Sequence, residues 1–336
     1  MEAKENALRT IKFDKPERVS GGYPRHGIGY RGCNHEGFEG GVPPGCGGHH
    51  LPVGSAWRDI WGTLWQRSHE GVMGFPTGNP LADLPASLEG YTWPDPDDGR
   101  IAGQIYEQAQ GWEPQETFLC GSHRDTLWEK CYMLVGMENA MCYFRSEPEA
   151  MREVLGRIMD FQLGIARHYL SLGVEIVEMS DDLGTQSRLL LSPAVIHEFL
   201  LPEYRRLFAL YKSHGVLVNF HSCGHIEPVL DMFLELGVDI LNPLQQTAND
   251  LAAVRRKTAG RMALQGGISS GLVASGPIPA IREEVRRCIA LLARDGVPPG
   301  CGGGYFCGPD QGMPWPEENY QALLDAVDEF GCYPFH

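Results

Sequence analysis

From residue 117 onward the chain alternates short apolar runs with amphipathic stretches. The runs at 117–120, 174–179, 216–220, 240–242, 262–265 and 305–307 have the length and β-branched or aromatic character of strands. Between them lie helical patterns. Ser146-Glu147-Pro148-Glu149 reads as a capping box with proline in the first turn, opening a helix that runs to about Leu172 and stops at Gly173. Ser192-Pro193 opens another, ending before Gly215. Across 277–294 the apolar residues Ile281, Val285, Ile289 and Leu292 follow a period near 3.6. Strands that alternate with helices predict parallel βα units. Two further strands from the N-terminal third complete a (β/α)8 barrel. The whole chain, 1–336, then forms one barrel domain: 1–115 supplies an N-terminal extension and the first strands, 116–336 the clear βα units.

The N-terminal third has a different texture. Residues 20–54 are rich in Gly, Pro, His and Cys and show no clear strand, and the 20–115 region is expected to add loops or short helices over the C-terminal mouth of the barrel. The segment WRDIWGTLWQ, with Trp57, Trp61 and Trp65, reads as an amphipathic core or lid helix. The hexapeptide PPGCGG occurs at 43–48 and again at 298–303, which fits loop composition.

Composition narrows the class. A length of 336 residues with 43% hydrophobic content suits one large soluble barrel. The net charge of -15 argues against nucleic acid or an anionic membrane as partner, since both require clustered Lys and Arg. No apolar run approaches a membrane span, and the N-terminus has no apolar signal region. With ten cysteines, that pattern predicts a reducing, cytoplasmic setting with free thiols or metal ligands.

In such a barrel the working residues sit at the C-terminal strand ends. Those ends carry a concentrated polar set. Glu178, Asp181, Asp182 and Gln186 follow one strand; His221 and Cys223 follow the next. Asn242 and Gln245 come after the third, Gln265 ends the fourth, and Tyr305, Cys307, Asp310 and Gln311 mark the last. His221 and Cys223, two residues apart past a strand end, offer imidazole and thiolate to a soft metal, with zinc the common occupant. A third ligand is needed. Cys307 is the first choice and Cys301 the alternative. The bland reading is a hydrogen-bonded His221 with Cys223 packed beside it. Glu178, Asp181 and Asp182 are candidates for catalysis, substrate binding, a further metal ligand or orientation of His221, and one of the aspartates could instead cap a helix. Gln186, Asn242, Gln245, Gln265, Tyr305 and Gln311 are candidate substrate contacts. Cys46, His49 and His50 form a weaker metal-ligand grouping on a Gly-rich loop.

Several motifs together resemble the uroporphyrinogen decarboxylase superfamily. They are Pro16-Glu17-Arg18-Val19, Trp57-Arg58-Asp59-Ile60-Trp61-Gly62, the run Asp181-Asp182-Leu183-Gly184-Thr185-Gln186, and His221-Ser222-Cys223-Gly224-His225 followed by GVDILNPLQ. The last is GGYFCGPDQGMPWPEENYQALLDAV at 303–327. The resemblance implies a TIM barrel. True decarboxylases of that family carry an N-terminal Arg-Gln-Ala-Gly-Arg run. The comparable region here is GGYPRHGIGYRG, which lacks it. The resemblance therefore points to the corrinoid-dependent methyltransferase branch, several of whose members hold zinc through His-x-Cys and a distant Cys near the last strand. His221 and Cys223 match the first part; the family's distant Cys aligns with Gln311, so Cys307 needs a local shift to serve, or another residue replaces it. What the resemblance implies is a zinc-dependent methyltransferase that moves a methyl group between a methoxy compound or thiol and the cobalt of a corrinoid. No Asp-x-His-x-x-Gly corrinoid motif is present, so the corrinoid would ride on a partner protein. A tetrapyrrole-directed lyase and a non-catalytic metal- or ligand-binding barrel are the competing expectations.

Overall fold

The computed structural model describes residues 1–33, 38, 51–70, 74–294 and 302–333. Ten strands are present among them: β1 (Arg25–Gly29), β2 (Ala56–Arg58), β3 (Leu64–Gln66), β4 (Phe75–Gly78), β5 (Phe118–His123), β6 (Ile176–Ser180), β7 (Leu217–His221), β8 (Ile240–Leu244), β9 (Ala263–Ile268) and β10 (Tyr305–Pro309). Seven of them form one curled sheet in the order β1-β5-β6-β7-β8-β9-β10, and every neighbouring pair is parallel. The sheet approaches closure where Ser20 bridges Phe306 in parallel and accepts a hydrogen bond from Cys307 N at 2.9 Å. All six expected βα strands are found. Of the two strands expected from the N-terminal third, β1 joins the barrel sheet; β2, β3 and β4 pair with one another as a separate antiparallel sheet.

The strands are buried on both faces, as parallel sheets with helical crossovers must be. The inner face is small and apolar at its base. Phe118, Cys120, Ile176, Ile240, Ala263 and Phe306 meet there with Ala7 and Ile11 of the helix Ala3–Lys12, which plugs the bottom. The outer face carries Val177, Met179, Val218, Phe220, Leu241, Leu264, Tyr305 and Cys307 into the main core beneath the helices. One helix, Pro148–Ser171, ends ahead of Gly173, whose φ of 75° is open to glycine. Its start differs from the expected capping box. Ser146 closes the preceding helix Met137–Ser146, and its Oγ donates back to Cys142 O at 3.4 Å. The Ser192 expectation holds: its Oγ accepts from Val195 N at 3.3 Å.

The Trp57–Trp65 segment is a hairpin, not a helix. Trp57 pairs with Trp65 across β2 and β3, and both pack on Met133 of the helix Trp128–Val135. Asp59 organises the turn, accepting from Trp61 N at 2.9 Å, Thr63 N at 3.0 Å and Trp65 Nε1 at 3.1 Å. The fully buried Lys130 ties this turn to the barrel, 3.5 Å from Asp59 and 3.6 Å from Asp125. Because the helix Trp128–Val135 follows the end of β5, the extension sits on the C-terminal side of the barrel. Among the described residues no helix is long and apolar enough to cross a membrane.

Candidate active site at the barrel mouth

Side chains alternate across a strand, so the inner face that is apolar at the base becomes polar further up. Ser122, Glu178, Asn219, His221, Asn242 and Gln265 occupy that upper layer, and with Tyr23 and Arg25 they line a cavity of about 460 Å³. Tyr23 enters from the segment leading into β1, its ring edge-on to Phe118 and Phe306.

These groups form one connected chain. Tyr23 donates its O–H to Glu178 Oε1 at 2.7 Å, and Arg25 donates to the same oxygen at 2.6 Å. Asn219 Nδ2 donates to the Tyr23 oxygen at 2.7 Å. Asn242 Nδ2 donates to Asn219 Oδ1, and Asn242 Oδ1 lies 2.9 Å from His221 Nδ1. Burial, with the Glu178 charge next, pushes the Tyr23 phenol well above its ordinary range, so it stays a donor.

Beyond His221 the chain turns sharply. Ser222 Oγ accepts from Leu183 N at 3.1 Å, Cys223 N donates to Asp182 Oδ1 at 2.8 Å, and Gly224 N donates to Gln245 Oε1 at 2.6 Å. Gly224 has φ +84°, and a Cβ there would stand 2.4 Å from the backbone of Gly184, so the turn admits glycine alone. The result sets three donor atoms together. Cys223 Sγ is 3.4 Å from His221 Nε2, Nε2 is 3.7 Å from Asp182 Oδ1, and one ligand atom from each lies within 4.8 Å of the others. Tetrahedral zinc with ordinary bond lengths separates S from N by about 3.6 Å and N from O by about 3.4 Å. Two of the three separations, Sγ to Nε2 and Nε2 to Oδ1, therefore lie close to those such an ion would set. Burial and then the neighbouring Asp182 raise the Cys223 thiol well above its usual range, so the site carries a thiol until a cation displaces its proton.

Several expected residues are placed elsewhere. Cys307 faces the helix layer beside Tyr305 and Cys288, and burial pushes its thiol up to about 12. It points away from His221, and Asp182 stands where a third ligand was expected. Tyr305 faces the same outer layer and donates to Gly266 O at 2.8 Å, so it does not reach the cavity. Asp181 is wholly buried. It accepts from Leu127 N and Glu129 N at 2.8 Å each and from Tyr204 O–H at 2.7 Å, anchoring the start of the helix Trp128–Val135. Gln245 holds the Gly224 turn, Asp310 accepts from Ser270, and exposed Gln186 accepts from Thr247. Gln311 is exposed outside the cavity lining. Cys301, Cys46, His49 and His50 lie outside the described residues. Glu178, Asn242, Gln265 and His221 are brought together at the cavity, with Asp182 and Cys223 at His221 Nε2.

Five contributors were not expected: Tyr23, Arg25, Ser122, Asn219 and Glu129. Asn219 was legible as the residue two before His221 on the same strand face. Tyr23 and Arg25 sit in a Gly/Pro-rich segment with no alternation to announce a strand. Glu129 accepts from Ser180 Oγ at 3.3 Å; burial, then Asp125 and the two following aspartates, raise its carboxyl well above the usual range.

The family model described as uroporphyrinogen decarboxylase (URO-D) matches residues 127–330. No curated protein matches the chain by sequence. Among solved structures, a methyltransferase from Methanosarcina mazei superposes with a TM-score of 0.70 at 17% identity, covering 98% of this chain and 99% of that one. At that identity the likeness concerns the fold. A B12-independent methionine synthase from Shewanella sp. W3-18-1 matches at a TM-score of 0.33 and 11% identity over 68% of this chain and 63% of that one.

Proposed function

Because the chain belongs to the uroporphyrinogen decarboxylase family, we propose that it is a zinc-dependent methyltransferase, moving a methyl group between a small methoxy compound or thiol and the cobalt of a corrinoid on a partner protein. The observation that carries this reading is the grouping of Asp182, His221 and Cys223, with one ligand atom from each within 4.8 Å of the others, beside the cavity. Those three would hold the zinc. Bound there, zinc supplies a Lewis acid that polarises an ether oxygen or lowers the pKa of a thiol.

The rest of the chemistry falls to the cavity. Glu178 and Arg25 form its charged end, and Asn242 and Gln265 present amides to a substrate's polar groups. The volume of about 460 Å³ suits a small molecule. The C-terminal end of the barrel is the side from which a corrinoid domain would approach.

A tetrapyrrole decarboxylase would need cations for many carboxylates. The described cavity lining contributes one guanidinium, Arg25, already paired with Glu178. The test is elemental analysis of protein purified without chelator, beside turnover of uroporphyrinogen. About one zinc per chain is expected, falling sharply in Cys223→Ala, with no decarboxylation. Metal-free protein that consumes uroporphyrinogen would reverse the assignment.

A further inference from the structure

The hydrogen bonds in the mouth have a direction as well as a length. Glu178, as a carboxylate, only accepts, and Arg25 donates to the same Oε1 that receives the Tyr23 O–H. With its hydrogen committed there, the Tyr23 oxygen can only accept, so Asn219 must turn its amide nitrogen toward it. That leaves Asn219 Oδ1 facing Asn242, which must answer with its own nitrogen. Asn242 Oδ1 then faces His221 Nδ1 at 2.9 Å, and an acceptor there demands a proton on Nδ1. Reversing Asn219 alone would set acceptor against acceptor at Tyr23 and donor against donor at Asn242; reversing Asn242 alone would set acceptor against acceptor at Asn219; reversing both would set acceptor against acceptor at Tyr23.

We infer that Tyr23 and Glu178 are positioning residues for the His221 ring: through Asn219 and Asn242 they hold its proton on Nδ1 and leave Nε2 as a lone pair facing Cys223 and Asp182. The inference rests on the proposed metal site only for its purpose, because the tautomer exists in the metal-free protein. A histidine ligand is ordinarily oriented by one acceptor on its other nitrogen. Here the orienting signal starts four hydrogen bonds away, across strands β8, β7 and β6 and the segment before β1. Tyr23 thereby links the charged end of the cavity to the metal-facing end. Its ring contacts with Phe118 and Phe306, each 6.1 Å between centroids, would survive loss of the hydroxyl.

The experiment uses the full chain, labelled with ¹⁵N-histidine and metal-free. Long-range ¹H–¹⁵N correlation reads the tautomer of His221, assigned by the signal lost in His221→Gln. Wild type should show the Nδ1–H form. Tyr23→Phe removes the acceptor for Asn219, frees both amides to reverse, and should convert most of the population to Nε2–H. Glu178→Leu, which removes the terminal acceptor at a partly exposed position, should do the same and guards against a folding defect in the first variant. Glu178→Gln keeps an oxygen pinned by Arg25 and should retain Nδ1–H. Zinc affinity, measured against a chromophoric chelator, should fall about tenfold in Tyr23→Phe and stay within about twofold in Glu178→Gln. A wild-type Nε2–H tautomer, or an unchanged tautomer in both disrupting variants, overturns the relay even if zinc binds at full stoichiometry. A tautomer that shifts as stated in a protein that takes up no zinc sustains the relay and removes the metal reading instead.

Discussion

Replacing Asp181 tests whether that carboxylate belongs to the framework or to the chemistry. Its oxygens accept from two backbone N–H groups, Leu127 and Glu129, and from the Tyr204 phenol, all within 2.8 Å, and Asp181 itself is wholly buried. These bonds join β6 to the helix Trp128–Val135 and to the helix Leu201–Ser213. Alanine leaves three donors without partners, each costing about 1–3 kcal/mol, with some recovered if water enters the vacated space. The expected loss is about 3–5 kcal/mol for Asp181→Ala. For Asp181→Asn, which keeps one acceptor oxygen, it is about 1–2 kcal/mol. Urea unfolding followed by far-ultraviolet circular dichroism reads the difference as a shift in midpoint at constant slope. Zinc bound per folded chain should be unchanged in both variants. An alanine variant as stable as wild type, or one that keeps its stability and loses its zinc, would return Asp181 to the site.

Asp182→Ala should lose most of its zinc, whereas Cys307→Ala should keep it all and cost about 1–2 kcal/mol of core stability; full zinc in the first variant, or none in the second, would restore the outer cysteine as ligand. Lys130→Met leaves Asp59 and Asp125 buried without their cation and should destabilise by about 3–5 kcal/mol, read by the same urea titration, with a neutral result refuting the tie between hairpin and barrel. His123 is buried between Gln162 and Tyr211, and burial lowers its pKa to about 4. Between about pH 6.5 and pH 4 the unfolded chain binds a proton at this residue that the folded chain refuses, so the His123 contribution to stability should fall with falling pH by about 3 kcal/mol. His123→Gln should flatten that part of the profile; an unchanged slope would place the titrating group elsewhere.

Most of the barrel was legible because its strands and helices differ in period. The inner face of β7 was legible too: Asn219 and His221 share one parity, and polar residues inside a barrel must converge on a wet site. The same reasoning fails on β10. Tyr305-Phe306-Cys307 is apolar at both parities, as a strand buried on both faces allows, so nothing in the run says which face holds Cys307. The tryptophan segment misleads for a related reason. Residues 57, 61 and 65 are four apart, which places them near one helix face and also on one face of a strand. Asp59 decides between them by collecting the turn's N–H groups, a role visible only once the chain is folded. Asp181 and Asp182 are adjacent and chemically alike. Their opposite directions, one into the framework and one toward His221, follow from the strand end at Ser180, where alternation places neighbours on opposite sides.

Methyl transfer to or from cobalt is the central chemical step, and the visible spectrum of the corrinoid reads it directly. Zinc-loaded protein is mixed with Co(I) cobalamin and a panel of small methoxy compounds, and with methylcobalamin and thiols for the opposite direction. Conversion between the Co(I) and methyl-Co spectra is expected in one direction, at a rate lost in Cys223→Ala. Unchanged spectra in both directions across the panel, with zinc bound at about one per chain, would contradict it.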